Sequence, residues 1–121
     1  LRAALARSGL APGGIGWAAV SANGSADDAG EAEALRACFD GTPPPVVAPL
    51  GLCGDLQGAT TAFVAACAVL MLRDGFLAPV PGPAFAERID CVTGTPRPCP
   101  AGACAVLTAS ATQAVALVLE R

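Results

Sequence analysis

The sequence has no histidine, no lysine and no tyrosine, and all seven of its positive charges are arginine. Without histidine, no side chain has an unperturbed pKa near 7, so Ser-His-Asp and Cys-His catalysis within the chain are excluded. Without lysine there is no Schiff base, no P-loop lysine and no amine nucleophile. Acid and base work falls to carboxylates, thiols and arginine. Aromatics are scarce, at four Phe and one Trp, and a chain of net charge −3 shows no basic run or stripe. Phosphate neutralisation and base stacking, which hold nucleic acid, have nothing to act through, and no nucleic-acid partner is expected.

Charge of either sign is sparse. Charged residues make up 14% of the chain and hydrophobic residues 54%, against about 25% and about 45 to 50% in an ordinary soluble domain. At 121 residues the chain is one domain or part of a larger one, and this much apolar surface calls for more covering than it supplies alone. The most hydrophobic run, Ala59 to Leu72, spans 14 residues, short of the roughly 20 that cross a bilayer. The N-terminal LRAALARSGL reads as an amphipathic helix and not as a signal peptide. No membrane partner and a cytoplasmic location are expected.

Six cysteines are present, Cys38, Cys53, Cys67, Cys91, Cys99 and Cys104, at irregular intervals and with no CxxC pair. Zinc sites use closely spaced ligand pairs, so neither a metal nor a cofactor is expected. Cys67 in AACAVLML and Cys104 in ACAVLTAS sit in apolar runs, where a thiol behaves as a small hydrophobe. Reduced core cysteines are the expectation.

The chain then reads as alternating elements. A helix over 1–9 and a turn at APGG precede a strand from Ile15 to Val20. The polar loop SANGSADD leads to a helix over Asp28 to Phe39, with Asp27 or Asp28 as cap and Glu31 and Glu33 in its early turns, an exposed acidic start that complements the helix dipole. DGTPPP stops that helix. PVVAPL is a short strand, GLCGDLQG a glycine-rich loop, and Ala59 to Leu72 a helix that ends before Gly75. FLAPV is extended, residues 81–103 are irregular surface chain, and CAVLTAS and AVALVLE form a hairpin around a break at 111–113. On their neighbours alone, Asn23 beside Gly24 is a turn residue and Asp55 after Gly54 a cap. Strands alternating with helices argue an α/β layer arrangement. Apolar residues surround the whole circumference of the 59–72 helix, so it is expected to be buried on all sides, partly by something other than this chain.

SANGSADD, EAEALRACF, VVAPLGLCGDLQGA and AACAVLMLRDGFLAPV, in this order, resemble the C-terminal half of a β-ketoacyl synthase, and the resemblance covers nearly the whole chain. Members of that family are similar in having an A-H-G-T-G-T loop after a strand, a helix with E-A-x-A-L, a short strand leading to K-x-x-x-G-H-x-x-G-A, and a long helix ending in L-R-D-G. Here about three residues fewer separate loop and helix. The resemblance implies an α/β fold, half of a thiolase-like αβαβα sandwich with a mixed sheet and a buried central helix, over 1–121, the N-terminal half being absent from the chain.

The active positions depart from the pattern. Asn23 stands at the first catalytic histidine, Asp55 at the second and Leu50 at the lysine. TASATQA has no glycine where the family has S-F-G-F-G-G-T-N, and the nucleophilic cysteine belongs to the N-terminal half. The paired histidines stabilise the enolate formed as malonyl loses carbon dioxide, a task for preorganised donors. Asn23 retains one donor, whereas the negative charge of Asp55 repels the developing anion. Decarboxylative condensation by these residues is disfavoured, and no catalytic residue is expected.

Chain-length factors, ketosynthase-like subunits of type II polyketide synthases that lack the nucleophile, are similar in this respect. Their D-x-V-T-G-x-P-R tail matches residues Asp90 to Arg97. The resemblance implies a non-catalytic subunit that shapes an acyl-chain tunnel. Its partners would be a catalytic ketosynthase subunit or its own N-terminal half, and an acyl carrier protein bearing a phosphopantetheine-bound chain. The alternative is part of an active synthase whose nucleophile lies in the N-terminal half or a partner chain.

Overall fold

The computed structural model describes residues 1–81, 89–100, 102–110 and 112–121. Helix α1 (Arg2–Ser8) closes on Gly9 at φ 73°, in the left-handed region that glycine enters without a Cβ penalty. A 3-10 turn at Pro12–Gly14 delivers the chain to strand β1 (Ile15–Val20), and helix α2 (Asp28–Cys38) follows the polar loop. Strand β2 (Val46–Val47) is shorter than the expected PVVAPL, because Pro49–Gly51 winds into a 3-10 turn. A further 3-10 turn, Gln57–Ala59, opens helix α3 (Thr60–Asp74), whose C-cap Gly75 at φ 78° donates its N–H to Met71 O. Strands β3 (Phe76–Leu77), β4 (Arg97–Pro98), β5 (Ala103–Ala109) and β6 (Ala114–Leu119) complete the chain.

The main sheet has the order β2-β1-β5-β6. β1 runs parallel to β2 and to β5, while β6 returns antiparallel to β5 as the expected hairpin. Parallel neighbours need crossover connections, and α2 and α3 supply them. Consecutive residues Trp17 to Val20 of β1 and Ala103 to Thr108 of β5 are buried, so both faces of the central strands are covered. The outcome is the mixed α/β sheet that the sequence implied.

α3 is covered by this chain on one side only, as its sequence led us to expect: Val64, Ala68, Met71 and Leu72 enter the core, while Phe63, Val69 and Leu70 stand exposed, Val69 by 50%. A single sheet can cover only one face of a helix. Two expectations are corrected. The stretch 81–103 is not wholly irregular surface chain. Residues 82–88 and 101 lie outside the described residues, but Ile89, Cys91 and Val92 are buried. Val46 N donates to Asp90 O (2.8 Å) and Val92 N to Val46 O (2.8 Å), extending the sheet past β2. The Arg97 guanidinium grips both oxygens of Asp90 (2.7 and 2.8 Å) and ties the ends of the intervening turn, where Gly94 sits at φ 76°. Finally, all six cysteines are free thiols, but Cys53 is exposed on the loop before α3 and is no core residue.

Candidate functional site

The parallel strands β1 and β5 end side by side, and the loops that leave them meet the start of α3. Ser21 N donates to Leu107 O (3.2 Å), which keeps the two chains together one residue past β1. The loop then turns on its own polar groups. Asn23 Oδ1 accepts from Ser25 N (3.0 Å), and Ser25 Oγ accepts from Asp27 N (3.3 Å), a pattern typical of Asn and Ser in turns. Asp27 occupies the N-cap position of α2 without a capping bond from its side chain. Asp28 turns back instead: its carboxylate accepts from Asn23 N (3.0 Å) and Gly24 N (2.9 Å). The expected capping role of these two acids is therefore corrected. Asp28 stabilises the loop, with Gly24 at φ 88° allowing the chain to bend around it.

Glu31 overturns the expected exposed acidic start more fully, being 1% exposed. Its Oε2 accepts from Ala22 N (2.9 Å), and its Oε1 accepts from Ala109 N (2.8 Å) and from the Ser21 hydroxyl. One carboxylate on α2 thus joins the ends of β1 and β5. Burial pushes its pKa above the ordinary 4.5, with the Asp28 charge adding to the rise, while the Ser21, Ala22 and Ala109 donors oppose it. The pattern that reveals Glu31 is in the sequence. Asp28, Glu31, Ala32, Leu35 and Cys38 form the buried stripe of α2 at helical spacing, so Glu31 shares a face with apolar residues.

Across from this loop, Asp55 Oδ1 accepts from Gln57 N (2.8 Å) and from Thr60 Oγ1 (3.2 Å), holding the 3-10 turn that starts α3, close to the capping role read from its neighbours. Thr61 and Thr108 share a hydroxyl hydrogen bond of 2.7 Å between α3 and β5. Ser110 and Gln113 close the hairpin by backbone bonds in both directions, 2.8 and 3.4 Å.

These groups surround an open cleft of about 410 Å³, in whose wall Ser21, Asn23, Asp55, Thr61, Thr108 and Gln113 take part. Asn23 and Asp55, far apart in sequence, are brought to one cleft. Leu50 is not: it is 1% exposed in the core and does not line it. The ionisable side chains in the described lining are Asp27 and Asp55, with no arginine among them. Such a wall offers hydroxyl and amide hydrogen bonds and a negative potential, and it disfavours anionic ligands. Among the described residues no group of three or more His, Cys, Asp or Glu side chains could hold a metal ion, and no helix is long and apolar enough to cross a membrane.

The fold that forms this cleft is shared with two solved ketosynthase structures. The ishigamide ketosynthase/chain length factor superposes with a TM-score of 0.86 at 23% identity over 98% of this chain and 31% of its own. The oxazolomycin ketosynthase domain of Streptomyces albus JA3453 superposes with a TM-score of 0.76 at 17% identity over 98% of this chain and 25% of its own. The chain therefore spans about a quarter to a third of the length of these structures. The family model of the beta-ketoacyl synthase C-terminal domain matches residues 1–82, and the chain belongs to that family. No curated protein matches its sequence.

Proposed function

We propose that this chain serves as the C-terminal part of a non-catalytic, chain-length-factor-type ketosynthase subunit, which shapes the tunnel for a growing acyl chain beside a catalytic ketosynthase. The observation that carries the reading is the cleft itself. Where the family places two histidines, the wall presents Asn23, whose carbonyl is engaged in its own turn, and Asp55, whose carboxylate holds the start of α3. Asp55 opposes the anion that decarboxylation creates, Asn23 offers a single amide donor in place of an imidazole, and no cation lines the described part of the wall to compensate.

The exposed apolar face of α3, with Phe63, Val69 and Leu70, supports the companion proposal that an equivalent half, in the same polypeptide or a separate one, packs there. An acyl carrier protein would deliver the chain on its phosphopantetheine arm. A second reading, part of an active synthase whose nucleophile comes from elsewhere, is favoured by the Asn23 amide, which lines the cleft and retains an N–H donor. Reconstitution with a catalytic ketosynthase and carrier protein separates the two. Condensation that requires this chain yet survives Asn23→Ala with Asp55→Ala supports the non-catalytic subunit. Loss of condensation in folded Asn23→Ala alone supports the second reading and refutes the first.

A further inference from the structure

The cleft wall lacks any histidine, yet a titratable group lies directly behind it. Glu31 is buried and does not line the cleft; Ser21 does, and its hydroxyl is bonded to Glu31 Oε1. The three donors around Glu31 are not equivalent. Ala22 N and Ala109 N can only donate, so they require acceptor oxygens in every state. A serine hydroxyl can donate or accept. It is the one partner that tolerates both protonation states of the carboxyl group.

We propose that Glu31 and Ser21 form a proton-coupled switch in the cleft wall, whose ligand is a neutral carbonyl compound such as a ketone or thioester. With Glu31 ionised, the Ser21 hydrogen points back at Oε1 and the cleft meets only an oxygen lone pair. With Glu31 neutral, its proton sits on Oε1 and is donated to Ser21 Oγ. The hydroxyl hydrogen of Ser21 is then released towards the cleft, where it can bond a carbonyl oxygen. Oε2 still accepts from Ala22 N, and Ala109 N keeps Oε1 and Ser21 Oγ (3.2 Å) as acceptors. No covalent bond changes.

Among the described residues, the charge that bears on Glu31 is Asp28 on α2 itself, which favours its neutral form, and no charged residue comes from β1 or β5. Burial acts in the same direction. Asp27 and Asp55 in the cleft wall repel a carboxylate ligand. Ser21 is thus the residue that touches ligand, and Glu31 the residue that positions its hydrogen. This goes beyond the chain-length-factor reading and does not depend on it, because it concerns the chemistry of the wall and not the partner.

The test is NMR titration of the full chain with S-acetoacetyl-N-acetylcysteamine, a neutral β-keto thioester, from pH 8 to pH 5, with the Glu31 carboxyl carbon followed in parallel. One added hydrogen bond corresponds to affinity tightening by about fivefold to tenfold, with a midpoint that follows the Glu31 titration. Ser21→Ala should bind weakly at every pH, and Glu31→Gln, which cannot ionise, should lose the pH dependence. Asp55→Asn should keep the pH dependence, and malonate should bind less tightly than the thioester. Wild-type affinity that does not change with pH, absence of thioester binding, or Ser21→Ala retaining the wild-type profile would each overturn the proposal. If Glu31→Gln fails to fold, the wild-type and Ser21→Ala profiles decide it alone.

Discussion

Replacing Glu31 with alanine removes the acceptor of Ala22 N and the nearer of the two acceptors of Ala109 N, which keeps Ser21 Oγ at 3.2 Å, at a position 1% exposed to solvent. A buried donor left without a partner costs about 1–3 kcal/mol, a cost that falls in full on Ala22 N and in part on Ala109 N. Part is offset because a carboxylate no longer has to be desolvated. A net loss of about 1–3 kcal/mol is expected for Glu31→Ala in equilibrium urea unfolding at pH 7.

The pH dependence gives an independent check. The folded-state pKa of Glu31 lies above 4.5, so between the unfolded and folded values the folded chain holds a proton that the unfolded chain has released. Stability from this group is therefore fully present below about 4.5 and declines as pH rises through the folded value. Glu31→Gln should flatten that decline relative to wild type, since no other carboxylate is altered. A Glu31→Ala loss under about 0.5 kcal/mol, combined with identical pH profiles for wild type and Glu31→Gln, would refute the bridging role assigned to this carboxylate.

Other consequences can be measured directly. The exposed face of α3 should make the isolated chain self-associate, and Val69→Asp with Leu70→Glu should yield monomer in sedimentation velocity without loss of helical circular dichroism; a wild-type monomer at high concentration would contradict this. Thiol titration at pH 8 should modify Cys53 first, a phase that Cys53→Ser abolishes, whereas Cys91 and Cys104, pushed by burial to about 11 and about 12, should react only after unfolding. Gly75→Ala places a Cβ at φ 78° and should lower stability by about 1 kcal/mol in the same urea assay.

Much of the fold was legible because its elements carry strong local signals. The IGWAAV run gave β1 with its observed limits, Gly75 ended α3, and the apolar pair of runs at the end of the chain formed the hairpin. The failures are of a different kind. PVVAPL shortened to two paired residues because its second proline favoured a 3-10 turn. Ile89 to Val92 was read as surface because Pro and Gly surround it, yet its backbone finds partners in Val46 and Val80, which local composition cannot reveal. The apolar circumference of α3 was read correctly as a demand for cover, but a helix pattern does not say which chain provides it.

The site shows the same division more sharply. Asn23 and Asp55 were identified by their places in motifs, and the fold brings both to one cleft. Glu31 was misread because acids in the first turn of a helix usually complement its dipole in water. What decides its fate is the buried stripe it shares with Ala32 and Leu35, together with the two strand ends that arrive from 9 and 78 residues away. A carboxylate that closes contacts so distant in sequence is specified by tertiary structure, not by its neighbours. Asn23 and Asp55 sit in turns that engage their own side-chain oxygens, while Glu31 behind them holds the walls together. On the chain-length-factor reading proposed above, such a cleft would shape a chain without proton transfer by either residue, and the Ser21 hydroxyl is where the proposed switch acts.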